Sequence, residues 1–238
     1  MSLIGLRRAA RVCLIVMAVA AFAAFLTPWL TRPNGDVIFG VDIGNLAYGL
    51  REYPVTQLFT EVAILPAFLA VLLAPGVAVR SRWGRFVAVV PAVLAAALTG
   101  FAAYGFLAEI EDYWEPQRVT NYQLFAATTA AVAVLVLGLA VVLAVGHLRA
   151  GLRRFYPVAV ALLLIGAAAF HLYAIVTITS LASVDVEVSV LAWAPLPAYL
   201  LAALSAAVAG YADANATGDA DVRAGGVGGA ASVGRPTL

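Results

Sequence analysis

Six long apolar stretches constrain this chain more than any other feature of the sequence. Each is close to the roughly 20 apolar residues that a helix needs to cross the hydrocarbon core of a bilayer. Membrane-spanning strands would be shorter and would alternate apolar with polar residues. The sequence therefore predicts an all-α, polytopic integral membrane protein with six transmembrane helices arranged as three hairpins. The predicted spans are residues 12–30, 57–79, 86–108, 124–146, 157–178 and 190–210.

The composition agrees with a membrane protein. Hydrophobic residues make up 64% of the 238 positions, whereas a soluble domain has about 45–50%. The polar segments are too short for a separate soluble domain, so we expect one membrane domain over residues 1–210. Residues 211–238 are rich in glycine and aspartate and almost free of large apolar side chains. We expect this tail to be disordered and cytoplasmic.

The charged residues are distributed unevenly among the five segments that connect the predicted spans. We call these segments links and number them 1 to 5 in chain order. All 14 basic residues are arginines, and only Arg32, Arg51 and Arg118 lie in the odd-numbered links. The other eleven precede the first span, lie in the even-numbered links or lie in the tail. Nine acidic residues lie in the odd-numbered links, several of them in the segment AEIEDYWEPQR at 108–118. The positive-inside rule then places both termini in the cytoplasm. We expect the membrane to be the plasma membrane.

The first apolar stretch has an alternative interpretation as a signal peptide. It begins with Arg7, Arg8 and Arg11 and contains small residues at 18–20, as a cleavable leader would. The apolar run continues to Trp29, which is longer than the usual core of a signal peptide. We therefore favour an uncleaved first span and keep cleavage as the alternative.

Two local departures from straight helices are predicted. The first outer link contains DVIFGVDIG at 36–44, in which strand-favouring residues alternate with glycines, so a short β-hairpin is expected. The alternative is a loop packed on the helix ends. Pro66 lies inside the second span and cannot donate a hydrogen bond to the carbonyl of Val62. A kink or a loosened turn is expected there.

Residue usage excludes several kinds of chemistry. The absence of lysine excludes a Schiff base or a pyridoxal site. Cys13 is the only cysteine, so no disulfide within the chain and no cysteine metal cluster can form. The two histidines lie toward opposite ends of their spans, which excludes bis-histidine haem ligation. We expect no catalytic residues, no metal and no cofactor.

One group of polar residues within the spans is a candidate site. A carboxylic acid within a transmembrane segment is costly to insert and is a functional hypothesis by default. Glu61 lies near the outer end of the second span and His171 in the outer half of the fifth, and both could converge with neighbours of similar depth, namely Tyr104, Tyr173, Thr60 and Thr177. In the alternative interpretation, Glu61 reaches up to the headgroups and His171 is a core histidine bonded to a backbone carbonyl of a neighbouring helix.

These observations favour a non-catalytic accessory or scaffolding subunit of a membrane assembly. The alternative is a small transporter or proton-coupled permease that uses the Glu61 and His171 pocket. A transport path would need polar residues at several depths, whereas this sequence has them mainly in the outer third. The expected partners are the lipid bilayer and other membrane subunits or a second copy of the chain, and no nucleic acid.

Overall fold

Helices dominate the structure. The computed structural model describes residues 3–50, 52–79, 81–146, 150–181 and 186–228. The α-helices in these ranges are α1 (Leu3–Ala24), α2 (Pro54–Val62), α3 (Leu65–Ala78), α4 (Arg82–Glu109), α5 (Pro116–Val145), α6 (Ala150–Ser180) and α7 (Pro195–Gly228). The predicted all-α class is therefore confirmed.

Fewer than six of the described helices have the length and composition of a membrane span. Within the described residues, four helices (α4, α5, α6 and α7) are long and apolar enough to cross a membrane. The bent pair of α2 and α3 would make a fifth. Helix α1 is 22 residues long, but Arg7, Arg8 and Arg11 make it more highly charged than these four helices are within their apolar parts. The helices support a membrane protein, but six spans and three hairpins are not confirmed.

The first predicted span, 12–30, does not extend as a helix to its predicted end. Helix α1 ends at Ala24, and Pro28–Thr31 form a β-strand instead. The position before Pro28 disfavours helical backbone. The carbonyl of Ala24 accepts hydrogen bonds from the Thr27 hydroxyl at 2.7 Å and from the Trp29 indole at 2.8 Å. These two donors satisfy a carbonyl that the helix itself leaves unpaired.

A small antiparallel sheet covers one end of the helices. Strands β1 (Pro28–Thr31), β2 (Val37–Phe39) and β3 (Glu187–Val188) pair in the order β2-β1-β3. A β-hairpin forms here, but not within 36–44 as predicted: only its second strand lies in that segment, and most of its first strand comes from the end of the predicted first span. Its turn contains Gly35 at a φ of 87°, a conformation that glycine adopts without strain. Residues Gly40–Leu50 form a 3₁₀ helix, which takes in the second half of the segment predicted as a hairpin, 36–44.

The sheet defines one end of the bundle, which we call the sheet end. Helices α1 and α6 finish there, and α2 and α7 begin there, since their terminal residues flank the strands along the chain. At the opposite end, the arginine end, lie the start of α1 and the links between α3 and α4 and between α5 and α6. The acidic turn between α4 and α5 therefore lies at the sheet end.

The kink predicted at Pro66 is observed as a complete break. Helix α2 ends at Val62 and α3 begins at Leu65, with an angle of 59° between the two helices. Pro66 occupies the first turn of α3, where a missing N–H does no harm. The break therefore lies where the proline requires it, and it separates a short helix near the sheet end from a longer one that runs toward the arginine end.

Alanine-rich faces hold the central helices together. Helix α1 packs on α7 and α3, and α6 packs on α7. Buried alanines recur every three or four residues at these contacts, such as Ala18 and Ala21 on α1 and Ala202 and Ala206 on α7. Small side chains let helix backbones approach closely, and dispersion then stabilises the contact in lipid. Helices α4 and α5 form the most extensive helix pair. Helix α4 also packs on α3, and α5 packs on α6.

The beginning of the expected disordered tail is helical. Residues 211–228 continue α7, while 229–238 lie outside the described residues. Asp213, near the start of this segment, is in contact with α1. Its carboxylate accepts hydrogen bonds from Arg11 Nη2 at 2.8 and 3.1 Å and forms a second ion pair with Arg7. Asp213 thus fastens α7 to α1 at the arginine end.

Candidate functional site

Two neighbouring hydrogen bonds join α2 to α5 near the sheet end. The Tyr122 hydroxyl donates to Glu61 Oε1 at 3.1 Å. One turn earlier on α2, Gln57 Oε1 accepts from the side-chain amide of Asn121 at 3.1 Å. Gln57, Asn121 and Tyr122 are buried, whereas the Glu61 side chain is exposed. Because Gln57 and Glu61 are four residues apart, they lie on one face of α2 and both reach the start of α5.

The acidic turn extends this polar contact to α4. The Tyr113 ring packs on Tyr122 with 5.0 Å between centroids, and its hydroxyl donates to Glu109 at 3.1 Å. The Arg118 guanidinium lies 3.6 Å from the centroid of the Tyr113 ring. This is a cation–π geometry, and it partly balances the acids of the segment 108–118. The charged turn is therefore an ordered structure fixed to α2 through Tyr122.

His171 lies in a separate, buried aromatic site beneath the sheet. Its Nε2 donates to the backbone carbonyl of Ala192 at 2.7 Å, since a carbonyl oxygen can only accept. Edge-to-face contacts surround the ring, with centroids 5.2 Å from Trp29 and 5.3 Å from Phe59. Among the described residues, the other ring nitrogen, Nδ1, has no hydrogen-bond partner. The histidine connects α6 to the segment that precedes α7.

The structure does not gather the four predicted site residues into one pocket. Helices α2 and α6 are in contact, but Phe59 is the α2 residue that faces His171. Glu61 follows two positions later, about 200° around a helix of 3.6 residues per turn, and bonds to Tyr122 instead. Tyr104 and Tyr173 are 66% and 51% exposed on the outer surfaces of α4 and α6.

The threonines that we placed at the same depth have local partners. Thr60 is buried, and its hydroxyl donates to the Gln57 carbonyl at 2.8 Å. The Thr177 hydroxyl donates to the Tyr173 carbonyl at 2.8 Å. Both hydroxyls therefore donate to backbone carbonyls of their own helices. Within the described residues, no three His, Cys, Asp or Glu side chains are grouped so that they could hold a metal ion.

A cavity of about 320 Å³ lies where α2 breaks into α3. Its wall is formed by α2 and α3 on one side and by α4, α5 and α6 on the others. Leu58 and Val62 line it near the sheet end, and Leu73 lines it toward the arginine end. This volume is within the range of about 300–1,000 Å³ that is usual for ligand pockets. The helix break therefore creates space as well as a bend.

The residues that sequence analysis missed had only weak signals. Gln57 and Glu61 have the four-residue spacing of one helix face, and this pattern could have pointed to a polar contact on α2. Nothing in the sequence identifies Asn121 and Tyr122 as the partners, because helix neighbours and their register follow from packing. No known protein family matches this sequence, and neither a curated protein nor a solved structure is significantly similar to the chain.

Proposed function

We propose that the protein is a non-catalytic accessory or scaffolding subunit of an assembly in the plasma membrane. In this proposal α1 is also a span, which gives six spans with both termini in the cytoplasm. The distribution of arginines and acids supports this orientation, since the basic links all lie at the arginine end. The sheet end would then face the outside and be available to partners.

The single observation that carries the proposal is a small sheet, packed on the helices, that has an open edge in the described part of the chain. The sheet is fixed to α1 through Trp29, which is fully buried and whose indole donates to the Ala24 carbonyl at 2.8 Å. His171 reinforces the same junction through Ala192. Elements that are fixed this firmly make a preorganised docking surface, because little order has to be gained on binding.

Strand β2 is the edge that a partner would use. In the described part of the chain β2 has β1 on one side and no strand on the other. Three apolar side chains next to this edge are exposed: Val37 at 48%, Phe39 at 39% and Val41 at 42%. An open edge beside exposed apolar side chains suits β-strand addition by another chain. The partner would be another membrane subunit or a second copy of this protein.

The transporter alternative receives less support. It needs Glu61 and His171 to act on one path, but their hydrogen bonds lead to Tyr122 and to Ala192. Its best support is that Glu61 is an exposed carboxylate on α2, next in sequence to Val62, which lines a cavity. That cavity, however, is lined almost entirely by apolar side chains. A polar solute would find no partners there, so we rank the scaffold first.

Site-specific photocrosslinking tests the scaffold proposal. Benzoylphenylalanine at Phe39 should give one discrete crosslinked product in intact membranes, at the mass of a partner subunit or of a dimer. The same probe at Phe86, which is 58% exposed on α4, is the matched control and should give no such product. Adding Val37→Lys should remove the Phe39 product and leave the melting temperature unchanged. Equal yields from both positions, or no product from Phe39, would contradict the proposal.

A further inference from the structure

The cavity at the helix break carries an inference of its own. We infer that it is a binding site for one hydrocarbon chain of a bilayer lipid, which enters from the side between α5 and α6. This inference does not depend on the β2 edge. It rests on the chemistry of the lining, the position of the mouth and the length of the cavity.

The lining selects an apolar occupant. Of the side chains that line the cavity, only Thr99, Thr128 and Thr129 are polar. Each of these hydroxyls already donates to a backbone carbonyl of its own helix, at 2.8, 2.8 and 2.6 Å respectively. The cavity therefore offers no unused donor to a polar ligand. Apolar cavities of this kind stay dry, but they bind apolar molecules of suitable shape.

The end nearest the sheet is closed. A packed cluster of Leu58, Phe106, Tyr122, Phe125 and Ala126, which we call the Tyr122 cluster, lies there. Leu58 also lines the cavity, and Val62 and Phe170 both line the cavity and pack on the cluster. Water and solutes from the sheet end would have to pass these aromatic rings. The cavity is therefore not the upper part of an aqueous path.

The mouth faces the membrane. Three of the lining residues are exposed, namely Thr128 on α5 and Leu162 and Gly166 on α6. Leu162 is 63% exposed. Because α5 and α6 are both long and apolar enough to span the bilayer, the surface around this mouth would meet lipid chains. The nearest available occupant is therefore the hydrocarbon of the bilayer itself.

The length of the cavity matches a single lipid chain. Along α6 its lining extends from Val160 to Phe170. Ten residue steps correspond to about 15 Å at about 1.5 Å per residue. That is half of the roughly 30 Å hydrocarbon core, or the thickness of one leaflet. A small apolar molecule would fill only part of such a groove, whereas one chain of a lipid would occupy it along its length.

Photolabelling of the full chain tests this inference. The purified protein is reconstituted in vesicles of palmitoyl-oleoyl phosphatidylcholine that contain some phosphatidylcholine with a diazirine in one acyl chain. After illumination, labelled residues are mapped by mass spectrometry. Label should be enriched at residues such as Leu69, Thr129 and Val132, which line the cavity, relative to Val90, which is 68% exposed on α4 outside it. Equal labelling of the cavity and of Val90 would show ordinary surface lipid and would overturn the inference.

A matched pair of glycine substitutions sharpens the test. Gly166 lines the cavity and Gly138 on α5 does not, and a Cβ at either position meets no atom within 4 Å. Gly166→Leu fills the cavity and should lower cavity labelling by about tenfold, which corresponds to about 1.4 kcal/mol of lost binding. Gly138→Leu should leave labelling unchanged. If Gly166→Leu folds and labels like the unmodified chain, the cavity does not hold the lipid chain. If Gly166→Leu does not fold, the distribution of label between the cavity and Val90 in the unmodified chain still tests the inference.

Discussion

At the level of single residues, Glu61 and His171 hold different pairs of elements together. Glu61 joins α2 to α5 through Tyr122, and His171 joins α6 to the segment before α7 through Ala192. Neither bond requires the other, because Phe59 is the α2 residue that contacts the histidine ring. Each residue should therefore affect stability through its own partner.

Double-mutant cycles on the free energy of unfolding in mixed micelles test this separation. Glu61→Ala and Tyr122→Phe remove the two sides of one hydrogen bond, so their effects should be coupled by about 0.5–1.5 kcal/mol. Glu61→Ala and His171→Ala share no partner and should add within about 0.5 kcal/mol. Coupling of Glu61 to His171 that exceeds its coupling to Tyr122 would restore the shared pocket.

The sequence singles out Glu61 and His171 but does not identify their partners. Glu61 and His171 are conspicuous because ionisable side chains are rare in apolar helices. The direction in which each side chain points depends on how far each helix is rotated in the bundle, and the alanine-rich faces fix this rotation without leaving a periodic signal. The alternative interpretation of His171, as a core residue bonded to a backbone carbonyl, is the one that the geometry favours.

At the level of elements, local chemistry accounts both for the correct predictions and for the errors. Pro66 predicted the break between α2 and α3, because a missing N–H acts wherever the residue lies in a helix. The sequence predicts that the first helix continues to residue 30, whereas α1 ends at Ala24. The reason is that Leu26, Trp29 and Leu30 are as apolar as the helix before them. Hydrophobicity alone does not show that Pro28 starts a strand.

The junction between α1 and the sheet depends on a close approach at Gly40. A Cβ added there would lie 2.5 Å from the Trp29 ring and 2.9 Å from the Phe25 backbone. Gly40→Ala should therefore destabilise the protein by about 1–3 kcal/mol, the usual cost of overpacking a core. The control is Gly44→Ala in the same 3₁₀ helix, where the nearest atom would be the Thr60 carbonyl oxygen at 3.5 Å. A thermal melt in detergent should separate the two variants, and equal melting temperatures would contradict the packing around Trp29.

At the level of the whole molecule, the two ends of the described chain are fastened to each other. The first and last helices of the described residues, α1 and α7, pack against each other, and Asp213 pairs with Arg7 and Arg11 near the start of α1. The composition beyond residue 210 predicts no structure, because nothing in the sequence distinguishes Asp213 from the other polar residues of this segment. Its partners are about 200 positions away in the sequence, a distance over which periodicity gives no information.

Two truncations that differ by three residues isolate this contact. A chain that ends after Ala214 keeps Asp213, whereas a chain that ends after Tyr211 loses it. The shorter chain leaves Arg11, which is only 8% exposed, without its carboxylate. We expect it to be less stable by about 1.5–3 kcal/mol, the usual contribution of hydrogen bonds to charged groups. Equal melting temperatures of the two truncated proteins would show that Asp213 does not fasten α7.

The central claim is that the sheet end faces the outside of the cell and the arginine end faces the cytoplasm. Accessibility of single cysteines to an impermeant maleimide in intact cells tests it directly. Cys13→Ser provides the background, and Val37→Cys and Ser81→Cys place one exposed thiol at each end. Val37→Cys should react in intact cells, and Ser81→Cys should react only after the cells are opened. Labelling of Ser81→Cys in intact cells, with Val37→Cys protected until lysis, would contradict the orientation and the outward-facing docking edge with it.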